Sequence, residues 1–428
     1  MGNSFLDELE WRGMLHQSTP DVDEHLSESP RVGYIGFDPT SDSMHIGNLV
    51  QIMILIHFQR YGHKPIALIG GATGMIGDPS GKSSERKLLD QKKLEKNSLA
   101  LKKQFLKFLD FSKDRLNSAE MINNFDWMKE FSLIDFSREV GKHITVNYMM
   151  SKESVKKRIS DESSEGMSFT EFTYQLIQGY DFLELFRNKK CTIQIGGSDQ
   201  WGNITAGIDL IHRKHNKKSY GLTLPLITNA DGTKFGKTES GAVWLDVART
   251  SIYQFYQFWV RVDDRDVIRY LKYFTFLPQD GIEQLAKQHE AEPQARIAHK
   301  ALAQEVTKLV HGETATAEAI RASEILFGGG LDGITEATFR EIACEVPTCE
   351  FATDRFSGEG IWVPEILHEA GLAQSRGQAR KDVKSGGVYV NSKRVDNEQQ
   401  KLNSEDLIFN KYVLLRRGKK NYALVIVL

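Results

Sequence analysis

The 428-residue chain reads as an α/β protein: a Rossmann-like, parallel-sheet domain, then a helical domain, then a small α+β domain. Three observations predict this. Apolar runs at Val32–Phe37 and Pro65–Gly70 flank a helical pattern. Strand, helix and strand thus fall within about forty residues, and a βαβ unit of that length requires a parallel sheet. From Tyr253 to Phe327 the apolar period is helical, with Leu302, Val306, Leu309 and Val310 on one face. The last seventy or so residues mix a helical stretch with short strands and turns.

The elements follow in order. Val32–Phe37 is a buried strand ended by Asp38-Pro39-Thr40, and Asp42 or Ser43 caps a helix from Met44 to Tyr61 that stops at Gly62. Pro65–Gly70 leads into a loop, Gly70 to Gly81, that holds five glycines, and Leu88–Phe108 reads as a long helix. Thr170–Phe186 fits an amphipathic helix, and Thr192–Gly197 is a strand feeding a loop. Gly328-Gly329-Gly330 breaks the later helical pattern, and the acidic stretch 331–358 reads as an irregular linker. Beyond it, Ile361–Ser385 is helical, Gly386–Asn391 is strand and turn, and Tyr412–Leu428 is a hairpin turning at Arg417–Lys420. The domains are therefore 1–225, 226–330 and 359–428, joined by the linker.

Composition excludes several classes. With 40% hydrophobic and 26% charged residues the chain is an ordinary globular protein, and no apolar run is long enough to span a bilayer. The three cysteines, Cys191, Cys344 and Cys349, are too scattered for a disulfide framework or a zinc site, so no metal ligands are assigned. The start lacks a signal-peptide core, and the expected location is cytoplasmic. The net charge of −2 hides an asymmetry. From Gly371 to Leu428, 12 Lys or Arg face 5 Asp or Glu, an excess of 7, which suits a polyanion as well as it suits a solvated face.

Two short strings can grip phosphate. His45-Ile46-Gly47-Asn48 opens a helix, where unpaired amides and a partial positive charge favour an anion. His45 adds imidazole donors, Gly47 permits close approach, and Asn48 offers an amide. Far downstream, Lys234-Phe235-Gly236-Lys237-Thr238 places two lysines three apart in a glycine-hinged loop, suited to neutralising charge at a reacting phosphorus. Gly77–Ser83 is no P-loop, because only three residues separate its glycines; Lys82 and Arg86 remain candidate phosphate contacts.

These strings resemble the HIGH and KMSKS signatures of class I aminoacyl-tRNA synthetases. Longer ones, Tyr34–Thr40, Gly70–Ser80, Ser168–Phe172 and Gln194–Asn203, make the whole chain resemble the bacterial-type tyrosyl-tRNA synthetases. The resemblance implies that tyrosine is activated with ATP to tyrosyl-adenylate and then transferred to the 3′ end of tRNA(Tyr), with Mg2+ accompanying ATP. It implies that His45, Asn48, Lys82, Arg86, Lys234, Lys237 and Thr238 are catalytic. Tyr34 and Asp181 would hold the phenolic hydroxyl of L-tyrosine. Asp78, Tyr174 and Gln178 would hold its ammonium, and Gln200 would lie by its carboxylate. Gly36, Asp38, Thr40, Gly47, Gly197 and Asp199 would join His45, Asn48 and Lys237 around ATP. Residue spacing agrees, since Tyr174, Gln178 and Asp181 stand at i, i+4, i+7 on one helical face. Asn48, Ile35 and Phe235 depart from the commonest form of the family's strings.

The terminal domain resembles the S4-like RNA-binding module through Ser375–Lys381 and Gly387–Asn391. That implies tRNA contacts from Arg376, Arg380, Lys381, Lys384, Arg416, Arg417, Lys419 and Lys420. Members of the family are homodimers, with residues 125–150 as the expected interface. Two rival readings stay open: a tryptophan enzyme on the related fold, and an RNA-binding protein without catalysis.

Overall fold

The computed structural model describes residues 4–80, 88–160, 166–233, 235–238, 241–331, 333–343, 345–418 and 421–428. It divides into two compact units, Met1–Leu245 with Asp263–Ala291, and Asp246–Val262 with Glu292–Leu428. The expected helical domain at 226–330 is thus shared. Val267–Phe274 and Gln279–Ala291 belong to the first unit, and Ile252–Val260, Ile297–His311 and Glu313–Leu326 to the second. Packing decides this: Tyr270 and Phe274 stack on Phe235 of the first unit, at ring distances of 4.9 and 5.4 Å.

The first unit is built on six strands: β1 (Gln17–Ser18), β2 (Val32–Phe37), β3 (Lys64–Ile69), β4 (Glu120–Asn123), β5 (Cys191–Gly197) and β6 (Tyr220–Leu224). Their order is β1-β6-β5-β2-β3-β4, parallel throughout except for β1. The order reverses between β2 and β5, and that switch point is where an open parallel sheet forms its ligand crevice. A short hairpin, β7 (Lys237–Thr238) with β8 (Gly241–Ala242), follows.

The helix after β2 is Ile46–Arg60. It is capped by His45 rather than Asp42 or Ser43, because the Ser43 hydroxyl is already engaged with Met44 O at 2.8 Å and Gln104 Nε2 at 2.9 Å. The next long helix is Gln91–Phe105, shorter than expected, with Asp90 taking the Lys93 N–H at 2.8 Å. Phe169–Lys189 begins at Ser168, whose hydroxyl accepts the Glu171 N–H at 3.2 Å. Among the described residues no helix is long and apolar enough to cross a membrane.

In the second unit, β9 (Thr348–Phe351), β10 (Ile361–Trp362), β11 (Val388–Val390), β12 (Lys393–Arg394), β13 (Lys401–Leu402), β14 (Tyr412–Arg417) and β15 (Asn421–Val427) form two sheets. The larger has the order β12-β11-β14-β15-β9; β10 pairs with β13. The expected linker is therefore corrected. Residues 331–358 contain the helix Glu336–Ala343 and the strand β9, which runs parallel to β15 from Thr348↔Leu424 to Phe351↔Val427. Phe339 and Ile342 of that helix are fully buried with Tyr412, Leu414 and Leu424.

Candidate active site

The crevice at the β2/β5 switch point encloses about 330 Å³. Its lining brings together Tyr34, Gly36, Asp38 and Thr40 from the end of β2, His45 and Asn48 from the following helix, and Asp78 from the glycine loop. Tyr174, Gln178 and Asp181 reach it from one face of Phe169–Lys189, and Asp199 and Gln200 from the end of β5. Residues predicted from five separate segments thus line one cavity.

Its deep end is polar and buried. Asp181 is 1% exposed; its Oδ1 accepts from Trp127 Nε1 and its Oδ2 from Asn124 Nδ2, each at 2.9 Å. Burial pushes its carboxyl up to about 7, although both hydrogen bonds favour the charged form. Among the described residues the buried Tyr34 hydroxyl has no hydrogen-bond partner, and burial and the neighbouring Asp181 raise it well above the usual phenol range. A buried polar group left unpaired is costly, so this end of the cavity is built for a ligand hydroxyl or a water.

A second network crosses the middle of the cavity. The Tyr174 hydroxyl donates to Asp38 Oδ2 at 2.9 Å, and Thr73 Oγ1 donates to Asp38 Oδ1 at 2.6 Å. Thr73 in turn accepts from Asn124 Nδ2 at 3.1 Å, so one chain of bonds links Tyr174, Asp38, Thr73, Asn124 and Asp181. The chain needs glycine at position 70, where a Cβ would collide with Asp38 Oδ1 and Thr73 Oγ1. At the mouth, Gln200 Nε2 donates to Asp78 Oδ2 at 2.7 Å and to Asp199 Oδ2 at 3.3 Å. Asn203 Nδ2 bonds both Gln178 Oε1 at 3.0 Å and Gln200 Oε1 at 3.2 Å. Burial raises the Asp78 carboxyl; hydrogen bonds from Ser80 and Gln200 work against that rise.

The two phosphate-gripping strings are neighbours. The His45 N–H donates to Asn48 Oδ1 at 3.1 Å, and His45 Nδ1 accepts the Gly47 N–H at 3.0 Å. With Nδ1 an acceptor, the proton of the neutral ring sits on Nε2. Ile46 N donates to Val243 O at 3.0 Å and Leu245 N to Met44 O at 2.9 Å, which ties the strand after the lysine loop to the start of the helix. Gly236, at φ 81°, packs on Ile46; a Cβ there would lie 2.9 Å from Ile46 Cγ1. The backbone of Lys237 and Thr238 forms β7. Their side chains, and Lys82, Arg86, Lys234, Lys419 and Lys420, lie outside the described residues.

Sequence reasoning missed Asn124, Trp127, Thr73 and Asn203. Thr73 and Asn203 stand inside the strings that carry the family resemblance, and Asn124 follows directly on the carboxyl end of β4, where parallel sheets present functional groups. β4 itself was not expected.

In the terminal domain, Arg376, Arg380, Lys381 and Lys384 share the helix Arg376–Lys384. Arg416 lies on the Tyr389 ring at 3.8 Å, and Arg417 Nη1 donates to Leu372 O at 2.9 Å.

Comparison with known proteins gives a consistent result. Residues 27–328 match the family described as tRNA synthetases class I (W and Y), and residues 338–425 match the tyrosine–tRNA ligase SYY-like C-terminal domain. A tyrosine–tRNA ligase of Porphyromonas gingivalis is 52% identical over 429 residues, covering 99% of this chain and 100% of that protein. One from Bacteroides fragilis is 53% identical over 428 residues, covering 99% of each. Among solved structures, a C-terminally truncated mitochondrial tyrosyl-tRNA synthetase of Aspergillus nidulans superposes with a TM-score of 0.68 at 32% identity, over 76% of this chain and 95% of that one. A tryptophanyl-tRNA synthetase of Encephalitozoon cuniculi shares the fold, with a TM-score of 0.52 at 15% identity over 78% of this chain and 89% of that one.

Proposed function

The chain belongs to the class I tRNA synthetases, in their tyrosine branch, and from that premise we propose how its residues divide the work. It is a tyrosine–tRNA ligase: tyrosine and ATP give tyrosyl-adenylate and pyrophosphate, and tyrosine then passes to the 3′ end of its tRNA.

We assign the deep end of the cavity to the substrate's phenolic hydroxyl, which donates to Asp181 and accepts from Tyr34. The observation that carries this is the buried, unpartnered Tyr34 hydroxyl near a buried carboxylate. Asp78, Tyr174 and Gln178 take the ammonium, with Gln200 beside the carboxylate. Gly36, Asp38, Thr40, Gly47, Gly197 and Asp199 surround the nucleotide. The substrate carboxylate attacks the α-phosphorus in line, and pyrophosphate leaves. His45 Nε2–H, Asn48 and the lysines of the 234–238 loop, with Lys82, Arg86 and Thr238, neutralise the charge that develops on the leaving phosphates. Magnesium enters with ATP. Among the described residues no group of three acidic, histidine or cysteine ligands converges.

Pyrophosphate exchange with each of the twenty amino acids tests the assignment. Tyrosine alone should support it, because phenylalanine would leave Tyr34 and Asp181 unpaired and tryptophan has no hydroxyl to offer them. Comparable exchange with phenylalanine would refute the pocket reading.

The terminal basic residues, from Arg376 to Lys420, are assigned to tRNA phosphates, and the reaction to the cytosol, where tRNA is found. We assign a homodimer interface to residues 125–150. Leu133, Ile134 and Val146 are 75, 71 and 59% exposed, an apolar face that a second copy would cover. Light scattering should give a dimer mass, and Leu133→Asp should lower it.

A further inference from the structure

Three of the four cations on the helix Arg376–Lys384, expected to meet tRNA phosphates, are already paired with carboxylates. Arg376 Nη2 donates to Glu365 Oε1 at 2.8 Å. Arg380 reaches Glu398 through Nε to Oε2 at 3.4 Å and Nη2 to Oε1 at 3.2 Å, and Lys384 Nζ lies 3.2 Å from Oε2 of the same carboxylate. Of the four, Lys381 is exposed and enters no ion pair among the described residues.

Glu398 is held by a fixed turn. Its carbonyl accepts from Trp362 Nε1 at 2.7 Å. Asn397 Oδ1 takes the Gln399 N–H at 2.9 Å, Asn397 O takes the Gln400 N–H at 3.1 Å, and Val363 N donates to Gln400 O at 2.9 Å. Backbone contacts therefore deliver one carboxylate to the gap between two cations a helical turn apart. Guanidinium and ammonium groups bind carboxylate and phosphate oxygens with the same geometry.

We propose that Glu398 is a built-in phosphate mimic, occupying the seat between Arg380 and Lys384 that an RNA phosphate takes when tRNA docks. This rests on the assignment of the helix to tRNA. The three side chains are 23, 43 and 65% exposed, so the pairs are screened by water and exchange readily. The seat carries a net charge of one with Glu398 ionised, and two without it. A polyanion that also engages the exposed Lys381 can displace the carboxylate, whereas a lone phosphate meets a seat already filled. The mimic would thus trade affinity for discrimination against small anions.

The test is tRNA binding to the full chain carrying Glu398→Gln, measured over a salt series. The variant should bind about two- to fivefold more tightly at low salt, the scale of an exposed ion pair. The plot of log K against log salt should steepen by up to about one, because the seat then meets the phosphate with a net charge of two instead of one. Glu398→Ala should behave alike, because none of the bonds that hold the turn uses the Glu398 side chain, and thermal unfolding checks that each variant is folded. Unchanged or weaker binding by both variants would overturn the proposal; weaker binding would make Glu398 an orienting group for the two cations. Arg380→Ala/Lys384→Ala separates the two levels. If it weakens binding while Glu398→Gln does nothing, the helix binds tRNA and the mimic fails. If it too does nothing, the assignment of the helix to tRNA fails, and the mimic with it.

Discussion

Tyr174 and Asp38, 136 residues apart, are joined by a hydrogen bond of 2.9 Å from the tyrosine hydroxyl to the carboxylate. The bond connects the residue assigned to the amino acid's ammonium with one assigned to the nucleotide. Tyr174→Phe should therefore affect both substrates. It removes a hydrogen bond to a charged group, so kcat/KM in pyrophosphate exchange should fall at least tenfold for tyrosine, on the order of 1.5 kcal/mol or more. KM for ATP should rise with it. An unchanged ATP dependence would mean that Asp38 keeps its place without Tyr174.

The buried Asp181 predicts a pH dependence. Its carboxyl is pushed up to about 7, so in the free protein near neutral pH it is part protonated. Only the carboxylate can accept the substrate hydroxyl while keeping its bonds to Asn124 and Trp127. Tyrosine affinity should rise with pH through about 7 and level off above, falling up to tenfold per unit below. Stability of the free protein has the opposite sign. A folded-state value raised above the ordinary carboxylate range means stability decreases as pH climbs from about 4 to about 7. Fluorescence titration of tyrosine binding between those limits checks the first claim, and thermal melts the second. Asp181→Asn should bind tyrosine weakly and without this pH dependence.

Gly236 carries a left-handed backbone and lies against Ile46. Gly236→Ala must bear a left-handed alanine, about 1–2 kcal/mol, and displace Ile46 as well. Single-turnover adenylate formation should slow at least tenfold, with the tyrosine dissociation constant unchanged, since the loop is assigned to phosphate.

Lys237→Ala should likewise reduce the rate of adenylate formation far more than it weakens tyrosine binding, because its contact is assigned to the transition state. A rate within about twofold of the parent, roughly 0.4 kcal/mol, would remove the lysine from the mechanism.

The terminal module should be separable from activation, but only if cut in the right place. Cutting at Ile361 would strip β15 from β9 and uncover Phe339, which stacks on Tyr412 with ring centroids 5.1 Å apart. That product should aggregate. A chain ending near Gly330 removes β9 and the Phe339 helix together with the rest. It should still make tyrosyl-adenylate and lose tRNA charging, because phosphate contacts supply most nucleic-acid affinity. Retained charging at ordinary tRNA concentrations would show that the module is not the anchor.

Local chemistry determined much of this protein from sequence. The helical period placed Tyr174, Gln178 and Asp181 on one face, the βαβ spacing implied the parallel sheet, and His45 and Asn48 marked a helix start that lines the crevice. Each of these is a pattern within one helix, one helix start or one supersecondary unit. Tertiary structure alone decided the rest. Asn124 and Trp127 hold Asp181 from 57 and 54 residues away, and nothing local announces such partners. The stretch 331–358 is ordered because β9 finds β15 and the Phe339 helix finds a core to cover, which supplies burial that its own composition does not advertise. The cations of the terminal helix could be counted from sequence. That Glu398, brought up by a separate turn, already pairs with two of them is a fact of three-dimensional proximity, because a charge acts over a few ångströms of space and not along the chain.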